Sequence, residues 1–238
     1  MNRGNGVALW RQIQQKLQEE IARGTYKPGE RLPNEAELAE RFKVNRHTLR
    51  RAVGALQESG AVRVEQGRGT YVQEQMVDYA VGRRTRFTEN ILRIQRHPGG
   101  HTLRTLSLPA EAEIARGLAI RAGKPVFLIE RVGVVDDKPV SIAAHYFSQA
   151  RLPRMLEEYE KTDSITKALA AQGIEDYFRK TSRIGAALPA DDDARHLQQP
   201  RNQPVLTAES INVDAQGKPI EYSLTRFSAL RVNLVVEL

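Results

Sequence analysis

The sequence predicts two domains: a mainly α unit with a β wing over residues 7–74 and an α+β unit built on an antiparallel sheet over 86–238, joined by a linker at 75–85. Three observations predict this. Apolar residues recur at helical spacing through the first sixty positions. Two short β-branched runs then flank a Gly67-Arg68-Gly69 tip, as in a hairpin. Beyond them the chain repeats itself at a shift of about 80 residues.

In the first unit Leu9, Trp10, Ile13, Leu17 and Ile21 form one stripe, predicting an amphipathic helix to about Arg23, stopped at Gly24. Tyr26–Leu32, with its Lys-Pro-Gly, reads as a loop. Asn34 can cap a second helix whose first turn holds Glu35 and Glu37, where the dipole favours acids. After a tight turn Asn45 can cap a third helix. Its inward stripe is Leu49, Ala52, Val53 and Leu56, and the opposite face holds Arg46, Arg50, Gly54 and Gln57, with His47 and Arg51 at its edges. Gly60 ends it, and Ala61–Val64 and Thr70–Val72 read as the hairpin strands.

In the second unit Leu108-Pro109-Ala110-Glu111 matches Leu188-Pro189-Ala190-Asp191, Lys124-Pro125-Val126 matches Gln203-Pro204-Val205, and Asp137-Lys138-Pro139-Val140 matches Gly217-Lys218-Pro219-Ile220. Each half therefore reads as strand, helix, strand, turn, strand. Two such halves pair into one antiparallel sheet with helices packed on it, and a cleft is expected between them.

Composition narrows the function. There is no cysteine, so a disulfide scaffold, a thiolate zinc site and a cysteine nucleophile are excluded. No apolar run reaches the roughly 18–20 residues that span a bilayer, and the first ten residues lack a secretory apolar core, so a cytoplasmic protein without membrane partners is expected. The net charge of +7 permits nucleic-acid binding without demanding it. One dense basic cluster, six arginines against one acid, occupies 83–104.

Reading DNA requires fork-shaped donors near the N-terminus of an exposed helix, because Arg bonds guanine bidentately while helix N-termini and hydroxyls seat phosphates. Arg46, His47, Thr48, Arg50 and Arg51 meet that demand, and the glycines of the hairpin tip let its backbone and Arg68 approach the minor groove. The alternative, a solvated basic face, does not account for the turn, stripe and basic-tipped hairpin together. His97-Pro98-Gly99-Gly100-His101 reads as a plain loop, since Pro-Gly-Gly breaks the helix a metal pair would need. Asp191-Asp192-Asp193 suits a helix start. No catalytic constellation, metal site or cofactor motif stands out, and a non-enzyme is expected. Arg131, His145, Tyr146, Glu221, Tyr222, Ser223 and Arg226 lie in strands that should be half buried. Such charge either pairs internally, for example Arg131 with Glu209 or Glu221, or lines a pocket for a small anion.

The segment LPNEAELAERFKVNRHTLRRA and the QGRGTYV wing resemble the winged helix-turn-helix of the GntR family of bacterial regulators. RFTENI at 86–91, ERV…DDKPVSIAAHYF and GKPIEYSLTRF resemble the UTRA effector domain of its HutC subfamily, whose fold is similar to chorismate lyase. Within that subfamily FKVNRHTLRRAV, DYAVGRRTRFTENI and AAHYF look most like regulators of phosphonate metabolism. The resemblance implies a homodimeric repressor on double-stranded operator DNA, controlled by a small anion of the phosphate, phosphonate or sugar-phosphate class. It implies operator contacts from Arg46, His47, Thr48 and Arg50 and, on the wing, from Gln66, Gly67 and Arg68. It further implies effector contacts from Arg86, Thr88 and Arg131, with Glu221, Tyr222 and Arg226 on a terminal pocket strand. Two positions depart from the pattern: Ala36 stands where many relatives have a DNA-contacting arginine, and Gly133 where a second phosphate-binding arginine is common.

Overall fold

In the computed structural model, which describes residues 8–65, 67–73, 76–84 and 86–236, the chain divides into two compact units, Met1–Gln75 and Met76–Leu238. In the first, α1 (Leu9–Ala22) packs on α3 (Arg46–Glu58), burying Ile13 and Leu17 against Leu49, Ala52, Val53 and Leu56. Between them α2 (Glu35–Phe42) opens on a reciprocal cap: Asn34 Oδ1 accepts from the Ala36 and Glu37 N–H groups at 2.9 and 3.0 Å, and Glu37 accepts from Asn34 N–H at 2.7 Å. Lys43, left-handed at φ 52°, turns the chain into α3, whose cap Asn45 accepts from Thr48 N–H at 2.8 Å. The wing is β1 (Val62–Glu65) paired antiparallel with β2 (Gly69–Val72). Gly67 and Gly69 at its tip hold φ of +74° and +129°, a region other residues rarely enter.

The second unit begins with a correction. Val77–Ala80, expected inside the linker, is a strand (β3) that pairs in parallel with the last strand of the chain. Its partner lies some 155 positions away, as the Asn233–Asp78 side-chain bond at 2.9 Å shows, so no local pattern announces the pairing. Next come α4 (Phe87–Arg93), β4 (Pro98–Pro109), α5 (Ala112–Leu118), β5 (Pro125–Val135) and β6 (Lys138–Ser148). After α6 (Met155–Thr162) and α7 (Ile165–Ala170) the order returns as β7 (Phe178–Ala187), α8 (Asp191–His196), β8 (Val205–Val213) and β9 (Pro219–Ser228), and β10 (Val232–Val235) closes on β3. The loop expected at 97–101 is instead largely the start of β4, because Pro98–His101 pair with Val135–Val132.

The six long strands form one antiparallel sheet in the order β4-β5-β6-β9-β8-β7, so β6 and β9 join the two halves at its centre. The internal repeat is built into the backbone. Bulges fall at Thr102/Arg104 in β4 and Arg179/Thr181 in β7, and again at Gly133/Val134 and Asn212/Val213, where Val140 and Ile220 are the extra residues. One face of the sheet carries α5 on a cluster of Ile114, Leu118, Val126 and Tyr222. The other is partly covered by β3, β10 and α4 through Tyr79, Ile91, Phe227 and Val232. At its other side α6 and α7 pack on Phe127, Ile129 and Phe147 through Met155, Tyr159 and Leu169, and a cavity is left between the two coverings.

Candidate functional site

In the first unit Arg46 and His47 are exposed at the start of α3, beside the backbone N–H groups that a helix N-terminus leaves unpaired. The Thr48 hydroxyl is half buried and bonds Asn45 Oδ1 at 2.9 Å. Arg50 pairs with Glu35 at 2.9 Å, but both side chains are largely exposed, so the pair is weak and exchangeable. Arg51 turns toward α1, its guanidinium 4.6 Å from the centre of the Trp10 ring. On the wing Gly67 and Arg68 are exposed, with Glu65 3.8 Å from Arg68, while Gln66 lies outside the described residues. Ala36 is exposed on the first turn of α2. Sequence reasoning passed over Arg31, which bridges to Tyr71 of β2 and whose guanidinium covers Gly69 so closely that a Cβ there would sit 2.5 Å from its Nε. That position puts Arg31 beside the wing as a further basic group.

In the second unit this face of the sheet, with α4 and α7, bounds a cavity of about 560 Å³. Arg86, Thr88, Arg131, His145, Glu221 and Ser223 all line it. Tyr146, Tyr222 and Arg226 do not. Successive strand residues point to opposite faces, so Glu221, Ser223, Thr225 and Phe227 face the cavity while their neighbours face α5 and α8. Tyr146 and Tyr222 pack with the α5 cluster, their rings 6.1 Å apart. Burial, then the charges of Glu209 and Glu113, push the Tyr222 hydroxyl up to about 12. Arg226 bridges Glu130 at 2.9 Å and Asp193 at 3.0 Å.

Arg131 pairs with neither Glu209 nor Glu221. Its Nη2 lies 3.5 Å from Asp163, its Nη1 donates to the Asp163 carbonyl at 3.1 Å, and it stands over the Tyr159 ring. Arg86 bonds Glu89 at 2.9 Å and lies over Tyr177. Glu221 is buried, with both oxygens engaged: His145 Nδ1 at 2.5 Å and Asn212 Nδ2 at 2.5 Å. Burial alone would raise its carboxyl, but the hydrogen bond and charge of His145 and the bond from Asn212 hold it below the usual glutamate value. Facing an ionised carboxylate, His145 Nδ1 carries a proton and donates. Gly133 is the floor beneath Phe87: a Cβ there would stand 2.5 Å from Ser141 Oγ and 2.9 Å from the Phe87 ring, so a longer side chain has no room.

Among the lining residues that went unrecognised in the sequence are Tyr79 on β3, Lys167 on α7, Arg179 on β7 and Asn212 on β8. Asn212 was legible in principle, since it shares a face of β8 with the lining Ala208, and Arg179 lies two residues after the lining Tyr177. Tyr79 and Lys167 come from elements whose place on the sheet no local pattern fixes. Among the described residues no group of His, Asp and Glu is arranged to hold a metal ion, and no helix is long and apolar enough to cross a membrane.

Comparison with known proteins joins both halves of this description. Residues 9–72 match the gntR family of bacterial regulatory proteins, and residues 94–233 match the UTRA domain. The chain is 40% identical to the uncharacterised HTH-type transcriptional regulator RB1450 of Rhizobium meliloti over 100% of its own length and 98% of that protein's. It is 31% identical to the probable transcriptional regulator PhnF of Escherichia coli, covering 96% of this chain and 94% of that one. The fold is shared with the crystal structure of PhnF from Mycobacterium smegmatis at a TM-score of 0.66 and 23% identity, covering 97% and 99% of the two chains. The chain belongs to the GntR family of bacterial regulatory proteins, as a DNA-binding transcriptional regulator whose sequence continues into a UTRA domain.

Proposed function

We propose that this regulator is a cytoplasmic repressor that binds its operator as a homodimer and responds to a small anion held in the cavity of the second unit. The observation that carries this reading is the cavity itself: Arg131, Arg86, Lys167 and Arg179 line it against Glu89, Asp163 and Glu221, and Thr88 adds a hydroxyl. One recognition helix reads only a few base pairs, so two-fold pairing is needed for a unique site. Arg46, His47, Thr48 and Arg50 supply contacts from α3, and Gly67 and Arg68 supply them from the wing. Gln66 belongs to the same wing expectation, although it lies outside the described residues.

Coupling requires the ligand to favour one arrangement of the chain over another. Tyr79 supports such coupling. It sits on β3, which starts just after the first unit ends, and its ring packs 5.0 Å from Phe227 at the cavity wall. A tenfold change in operator affinity asks for only about 1.4 kcal/mol of differential binding. The target genes we favour serve phosphonate uptake or breakdown, on the sequence resemblance and the similarity to proteins named PhnF. A usual sugar phosphate is disfavoured, because Phe87 and Ser141 occupy the space a second arginine at Gly133 would need.

The test is footprinting of the upstream region with and without candidate anions. Arg46→Ala is expected to abolish specific protection with folding intact. Arg131→Ala is expected to keep protection but lose the anion response. Unchanged protection by the first variant, or an unchanged response by the second, would overturn the respective assignment.

A further inference from the structure

We infer that the cavity recognises a small molecule carrying two acidic groups, one seated at Arg131 and Thr88 and the other on a second pole at Arg179. The inference rests on the anion-sensing reading and names the chemical class of the ligand.

A continuous chain of hydrogen bonds crosses four strands on the cavity face. Arg179 Nε donates to Asn212 Oδ1 at 3.3 Å, Asn212 Nδ2 donates to Glu221 at 2.5 Å, and Glu221 meets His145 Nδ1 at 2.5 Å. Its interior acceptors are all used, since both Glu221 oxygens and the Asn212 oxygen are bonded. What the chain leaves for a ligand is at its two ends: the Nη groups of Arg179 and Nε2 of His145. Among the described residues Arg179 forms no ion pair, unlike Arg131 with Asp163 and Arg86 with Glu89. Glu221 therefore does not await an ammonium group; it orients the donors around it. A planar guanidinium fork fixed at one nitrogen suits a carboxylate or a second phosphoryl oxygen pair.

The two poles are set apart by the repeat. Arg131 pairs in register with Thr102 beside the bulge of β4, and Arg179 sits beside the corresponding bulge of β7. Bulges re-aim side chains next to binding sites. Asp163 holds the Arg131 guanidinium on the α6 side, while Asn212 holds that of Arg179 on the β8 side, with His145 on the central strand β6 between them. An oxyanion on one pole thus leaves the other unoccupied. The pseudo-symmetric halves each contribute one arginine to a shared ligand.

Calorimetry and thermal shift on the full chain test this with a graded set: methylphosphonate and propionate as one-acid probes, and phosphonoacetate, 3-phosphonopropionate and 4-phosphonobutyrate as two-acid probes. At least one two-acid probe is expected to bind tenfold or more tightly than methylphosphonate. Arg179→Gln is expected to bring that probe down to the methylphosphonate level while leaving methylphosphonate binding and operator binding unchanged, and Arg179→Lys to recover only part of the difference. Arg131→Gln is expected to lose both classes. If no two-acid probe exceeds methylphosphonate, or Arg179→Gln keeps the preference, the second pole is wrong and the anion-sensing reading stands. If no probe of either class binds, both fall.

Discussion

Glu221, Tyr222, Ser223 and Arg226 are close neighbours in sequence, but they serve two faces of one strand. Treating them as one cluster overlooks the period of two that governs any strand, and this is the physical reason why part of the expected pocket was misplaced. The same rule applied to Arg131, His145 and Glu221 does bring them to one face, so the cavity's floor was readable from residue type and alternation. Arg226 illustrates the consequence. It holds two largely buried carboxylates, Glu130 and Asp193, each within 3.0 Å. Arg226→Ala would strand Asp193 and leave Glu130 with Arg104 alone, 2.7 Å from its other oxygen, and is expected to cost about 3 kcal/mol. Thermal unfolding should show the loss, while anion binding at Arg131 persists. A variant of normal stability that no longer binds the anion would instead return Arg226 to the cavity.

Among the elements, those with their own start signals were legible. Asn34 and Asn45, each followed by helix-forming residues, announce α2 and α3, and the structure places reciprocal capping bonds at Asn34. The β5–β6 hairpin is similarly marked, since Asp136 and Asp137 both take positive φ, 45° and 64°, as a two-residue turn requires. By contrast, β3 has four residues and finds its partner only at the far end of the chain, and α6 and α7 were not read although Asp163 and Lys167 beside them line the cavity. Such placements are decided by tertiary packing, which local periodicity does not encode. The α2 cap offers a direct check. Asn34→Ala removes the acceptor for two N–H groups and is expected to lower the stability of the first unit by about 1 kcal/mol. Asn34→Asp is expected to retain most of it. Melting of the two variants distinguishes a cap from a surface side chain, for which both substitutions would be silent.

At the scale of the molecule, the repeat detected in Leu-Pro-Ala and Lys-Pro motifs becomes a sheet whose halves share bulges as well as strand order. It also gives the second unit a matched pair of acid-sensitive turns. Asp136, between β5 and β6, accepts from His97 N–H at 2.9 Å and pairs with Arg96. Asp214, between β8 and β9, accepts from Lys218 N–H at 2.8 Å and pairs with Arg151. The His97 N–H lowers the Asp136 carboxyl most; burial opposes it, and Arg96 adds to the lowering. At Asp214 burial opposes ionisation, but the N–H groups of Lys218 and Gln216 and the Arg151 guanidinium together prevail, and its value is lowered too. Glu221 is lowered likewise. A carboxylate lowered on folding binds fewer protons in the native chain than in the unfolded one, so its stabilisation is complete above the ordinary values, 3.8 for Asp and 4.5 for Glu, and is lost as pH falls through the native values. Thermal stability of the second unit is therefore expected to hold between pH 7 and 5 and to fall steeply below about pH 4.5. Asp214→Asn keeps the shape of the turn but removes its charge. The deficit of that variant against the unmodified chain should be present at pH 7 and shrink as pH drops below 3.8. A deficit that stays constant from pH 7 to 3 would mean that Asp214 acts by shape alone, and that the two turns are matched in geometry but not in charge.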